Sequence, residues 1–168
     1  MGLRKPPSRV LNEDEIRLLM EDIRAIDADE SVFVFNSENV RGTSYRPQND
    51  TIYVKGNVIS DHNSKRPRDL MSPRAVLAHE YYGHRPYRQL YMSEFEKNDL
   101  GDDAFLLKMA NREWVDEFRA SYMAARNAPQ LSDEDRRYLM LDALERAKEA
   151  NASVKHNDFI RMVLHGYN

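Results

Sequence analysis

The chain has 168 residues, 41% of them apolar and 32% charged, with a net charge of -3 at neutral pH. This is room for one domain with a core, in a soluble globular composition, and the charge argues against nucleic acid as the main partner. There is no cysteine, so disulfides and thiolate ligands are excluded and a transition metal has only His, Asp and Glu to bind. No apolar run approaches the ~20 residues of a membrane span, and the N-terminus has no signal-type apolar region, so no membrane partner and a cytoplasmic location are expected.

A single domain over residues 1–168 is expected, with 1–11 as a flexible basic lead-in. Asn12 with Glu15 three residues later caps a first helix, and Ile16, Leu19, Met20, Ile23 and Ile26 recur at helical spacing up to Ile26. The β-branched and aromatic run 31–35 predicts a strand, 42–45 a weaker one, 47–50 a turn and 51–55 a clear strand. Thr51 to Lys55 reads equally as a core strand or as an edge along which an extended peptide adds its backbone. The polar loop 60–69 carries Lys65, Arg66 and Arg68; a solvated loop is the favoured reading, over an anion contact.

Ser72 and Pro73 are N-cap and first residue of the next helix. Its apolar run Ala75-Val76-Leu77-Ala78 leads into His79-Glu80-Tyr81-Tyr82-Gly83-His84, and Pro86 should end or kink it. Segment 85–102 is ambiguous. A long helix is predicted over 103–127, with Phe105, Leu106, Met109, Trp114, Phe118 and Tyr122 along it. A further helix follows the Ser132/Asp135 cap, and a short one runs from Asn157 to Gly166. The order predicts an α+β fold, a small mixed sheet of about three strands packed on the helix that carries the hexapeptide, with several helices after it.

Two histidines, the first followed by a glutamate, suit a zinc hydrolase: the imidazoles bind the metal and the carboxylate takes a proton from water activated there. The zincin form H-E-x-x-H has its histidines four apart, about 40° around a regular helix; five apart they differ by about 140° and cannot share a metal. One π-bulge restores a common face, and Gly83 adds no side chain to crowd such a turn. A distorted helix is therefore predicted at the site itself.

The hexapeptide resembles the H-E-x-x-G-H signature of the dipeptidyl peptidase III metallopeptidases. Asp116-Glu117-Phe118-Arg119-Ala120-Ser121 is similar to that family's downstream E-E-x-R-A-[DE] motif. The resemblance implies one zinc ion held by His79, His84 and Glu117, with Glu80 as general base. Ser121 stands where the motif closes on an acid, so a carboxylate that would orient a histidine is missing there. The chain is far smaller than those two-lobed enzymes. Its layout also resembles the small zincins of the ImmA/IrrE type, which implies a compact zincin-like domain. Glu113 rivals Glu117 as third ligand, by the E-x-x-x-[DE] spacing of other zincins, and Glu117 is favoured.

The function expected is zinc-dependent hydrolysis of peptide bonds in a protein or peptide. A target-specific regulatory or toxin-type zincin, and a non-catalytic module with a structural His/Glu cluster, are the alternatives. Tyr82, Tyr122, His156 and His165 are unranked candidates for stabilising the oxyanion. His62 reads as solvated.

Overall fold

Helix α1 (Glu13–Ala25) begins at Asn12, whose side chain accepts from the Glu15 N–H while Glu15 accepts from the Asn12 N–H. This is the reciprocal cap its sequence predicts. The computed structural model describes residues 9–97 and 102–166 of the chain. Leu19 and Ile23 on the inner face of α1 are buried, and the helix packs on α3. Of the expected lead-in, residues 1–8 lie outside the described residues, but 9–11 are held. The Asn36 side chain pairs with both backbone polar groups of Leu11, and the Gly56 N–H donates to the Arg9 carbonyl.

A 3-10 turn at Glu30–Val32 precedes strand β1 (Phe33–Phe35), which is shorter than predicted. Strands β2 (Ser44–Arg46) and β3 (Thr51–Val54) form a hairpin around 47–50, closed by Asp50 at a left-handed φ of 49°. The sheet order is β1-β3-β2, with β1 parallel and β2 antiparallel to β3. The clear strand is thus the central one. The edge reading of Thr51 to Lys55 is corrected: β3 is paired on both sides, and its Ile52 and Val54 are buried in the core. The strand edge that borders the hexapeptide belongs to β2, which packs on it.

The loop 60–69 ends in a single turn, α2 (Pro67–Leu70), and it is not simply solvated. Lys65 is exposed, but Arg66 pairs with Glu145 and Glu149, and the buried Arg68 with Asp142, Glu145 and Glu149. Helix α3 (Pro73–Ala78) starts at Ser72, whose hydroxyl accepts from the Ala75 N–H, and Ala75, Val76, Leu77 and Ala78 are all buried. A helix buried on every side cannot be placed by amphipathicity; it is held by what encloses it, here α1, α5, α6 and the turn after β3.

The helical path continues from α3 as a π segment, His79–His84, then a 3-10 turn, Arg85–Tyr87, and α4 (Arg88–Lys97). Pro86 lies in that 3-10 turn, and residues 85–97 of the ambiguous stretch are helical, while 98–101 lie outside the described residues. Helices α5 (Asp102–Asn127) and α6 (Asp133–Glu149) pack along each other, α6 opening at the predicted Ser132/Asp135 cap. The last helix, α7 (Asp158–His165), is capped by Asn157 and docks through Phe159 against Tyr122, ring centroids 5.4 Å apart. Of the predicted α5 stripe, the side chains of Phe105, Leu106 and Met109 lie outside the described residues. The architecture is α+β with a three-stranded mixed sheet. Among the described residues no helix is long and apolar enough to cross a membrane.

Candidate metal centre

The extra residue between the histidines is absorbed where the motif lies. Residues 79–84 form a π turn, with both rings on the same side: His79 Nε2 and His84 Nε2 are 3.0 Å apart, the ring planes at 75°. Gly83 has a second reason to be glycine. A Cβ there would stand 2.3 Å from the Ala120 carbonyl oxygen and 2.6 Å from Ala120 Cα. The π turn and α5 thus meet backbone to backbone, with the buried Ala120 as the small residue at the contact.

That approach brings Glu117 to the histidines. Its Oε2 lies 3.0 Å from His79 Nε2 and its Oε1 3.6 Å from His84 Nε2. Ligand atoms about 2.0–2.1 Å from a tetrahedral zinc stand about 3.3 Å from one another, so these separations, which reach one Glu117 oxygen from each histidine, are of metal-ligand size. Glu113, one turn earlier, is exposed and not part of it. Among the described residues two clusters could hold a cation, His79/Glu80/His84 and His84/Asp116/Glu117, and they have His84 in common.

The outer ring nitrogens decide which way the inner lone pairs point. His79 Nδ1 is 2.8 Å from the Ser121 hydroxyl, whose only proton is donated to Asp142 Oδ2 at 2.8 Å. Ser121 must therefore accept from His79 Nδ1–H. His84 Nδ1 is 3.0 Å from the Tyr91 hydroxyl, whose proton goes to Asp116 Oδ1 at 2.5 Å. By the same reasoning His84 Nδ1 carries hydrogen. Both Nε2 atoms thus face inwards as acceptors, towards each other and towards a carboxylate. Three acceptors converging in a buried space repel unless a cation, a metal or a proton, sits among them.

The electrostatics follow from that convergence. Burial alone would lower the His84 pKa, but the Glu117 carboxylate outweighs it, aided by Glu80 and Asp116, and His84 is raised from 6.5 to about 9. Burial alone would raise Glu117, yet the positive charge of His84 beside it holds it well below the usual carboxylate range. Burial raises Glu80, and the two histidines only partly oppose this. Glu80 Oε2 accepts from the Tyr45 N–H of β2 at 3.0 Å, whereas Oε1 is buried with no partner. His79 and Glu80 are 0% exposed, and His84 and Glu117 1%.

The other sequence candidates lie elsewhere. Tyr82 donates to the Ile26 carbonyl, Tyr122 accepts from Asn157, and His62, His156 and His165 are exposed. Tyr91 was hidden in the ambiguous segment, and Asp142 and Arg146 lay on a helix with no motif. The expected gap at Ser121 is corrected as well: the missing acid is replaced by Asp142, one hydroxyl further out. Arg146 Nη2 approaches Glu117 Oε2 at 3.7 Å, while its Nε pairs with Asp142. Neither a protein family, nor a curated protein, nor a solved structure matches this chain.

Two outcomes are expected. Gly83→Ala should lower stability in urea unfolding by about 3 kcal/mol, the upper end of overpacking costs, because backbone rather than a flexible side chain would have to yield. In metal-free protein, the raised His84 contributes stability that is complete below pH 6.5 and lost as the pH climbs through about 9. Its unfolding free energy should therefore fall by up to about 3 kcal/mol over that range, and divalent metal added at neutral pH should release about one proton. A flat stability profile from pH 6.5 to 9 would contradict the second expectation.

Proposed function

We propose that the chain is a zincin-type metallopeptidase, with His79, His84 and Glu117 holding one zinc ion and Glu80 as general base. The observation that carries the reading is the meeting of two Nε2 lone pairs and a carboxylate within 3.0–3.6 Å, both tautomers set from outside. Zinc held there would supply Lewis-acid activation of water and of a peptide carbonyl. Both motif resemblances fall on these residues.

The chain's own groups have separable tasks. Glu80 is fixed through Oε2 by the Tyr45 N–H, and its unpartnered Oε1 is free to receive a proton. Its upward-shifted pKa makes it a stronger base than a solvated glutamate. Strand β2 presents its outer edge to the site, since the Tyr45 N–H points at Glu80 rather than at β3. An extended peptide would then lie along β2, in place of the β3 edge that was one of two equal readings of the sequence. Burial of all four groups supports a target-specific enzyme over a general digestive one, because a suitable substrate must first open the site.

Purified protein should carry about one zinc by elemental analysis. Glu80→Gln should keep that metal and lose peptide hydrolysis by ~10²–10⁴-fold, while His79→Ala should lose both. Undiminished hydrolysis in Glu80→Gln, or metal retained in His79→Ala, would sink the reading.

A further inference from the structure

The buried charges of α6 face the site, although no motif points to that helix. Asp142 is 0% exposed, and its two oxygens are used differently. Oδ2 accepts from the Ser121 hydroxyl at 2.8 Å, while Oδ1 faces Arg146 Nε at 3.2 Å and Arg68 Nε at 3.3 Å. The two guanidinium groups offset the burial of its charge. The Ser121 hydroxyl then carries its influence to His79 Nδ1, 2.8 Å further on.

We propose that Asp142 is the positioning residue of His79, acting through the Ser121 hydroxyl, and that α6 is therefore part of the metal centre. The inference rests on the metal-site reading above but names a residue outside both motifs. With Asp142 in place the Ser121 proton has one destination, so its oxygen can only accept from Nδ1–H, and the His79 lone pair is held on Nε2. Without the carboxylate the hydroxyl can rotate and donate to Nδ1 instead. The ring would then place hydrogen on Nε2, where a metal must bind. His84 has the same arrangement through Tyr91 and Asp116. Each histidine is thus oriented by a carboxylate one hydroxyl away, a layout that direct carboxylate–histidine spacing in the sequence does not disclose.

The test is the ring-nitrogen spectrum of 15N-histidine-labelled, metal-free protein, together with zinc affinity by chelator competition. Wild-type protein should show His79 with hydrogen on Nδ1. Asp142→Asn should shift His79 towards the Nε2–H form and weaken zinc binding about 10–100-fold. Ser121→Ala removes the relay but leaves every charge, and it should act in the same direction if Asp142→Asn fails to fold. Glu149→Gln removes only the ion pairs that Arg66 and Arg68 make with Glu149, leaving those to Glu145 and Asp142 in place, and it should change neither readout. A folded Asp142→Asn or Ser121→Ala with an unchanged His79 tautomer and zinc affinity within about twofold overturns the proposal. So does an equal loss in Glu149→Gln. If the tautomer depends on Asp142 while no variant, nor the wild type, binds zinc, the relay stands and the metallopeptidase reading fails.

Discussion

Two imidazole lone pairs and a carboxylate are pressed together where water does not reach, and the surrounding structure is arranged to keep them so. Acceptor against acceptor at 3.0 Å is unfavourable in a low-dielectric interior unless positive charge lies between. In the metal-free chain a proton serves, which is why His84 is raised to about 9 although burial opposes it. A divalent cation would serve better. The site is thus a place where folding stores unfavourable electrostatics that a bound cation would relieve.

Three features hold that arrangement against relaxation. The π turn gives up regular α-helical hydrogen bonding to rotate His84 back to the face of His79. Gly83 and Ala120 let the π turn and α5 touch through backbone, and so set the distance to Glu117. Buried charge is then handled in pairs: Asp116 with Arg119, and Asp142 with Arg68 and Arg146. Breaking one such pair typically costs about 3–5 kcal/mol, because the remaining charge is stranded. The network is better read as holding geometry than as adding stability.

The small sheet serves the same centre. Strand β3, fully paired, anchors β2 on one side, and β2 uses the Tyr45 N–H on its other side to fix Glu80. The same residue's hydroxyl donates to Asp50, which also takes Arg85 directly after the motif. Hairpin and helix are therefore tied at both ends of one tyrosine. Closure of the site follows from this tie and from the approach of α5.

Much of the local structure was legible in the sequence. The caps at Asn12, Ser72, Ser132 and Asn157 all form, and the angle between residues five apart on a helix required a bulge at His79–His84. These are short-range effects, determined by sterics and hydrogen bonds within a few residues. The motif resemblance favoured Glu117, while spacing left Glu113 open, since residues four apart share a helix face, and only the crossing point of α5 separates them. The central place of β3, the pinning of Arg66 and Arg68, and the links from Tyr91 to Asp116 and from Ser121 to Asp142 join residues that local periodicity does not relate. Their pairing depends on how whole elements pack. The sequence by itself determined which atoms are available to hold a metal; tertiary packing decided their distances, their tautomers and the carboxylates behind them.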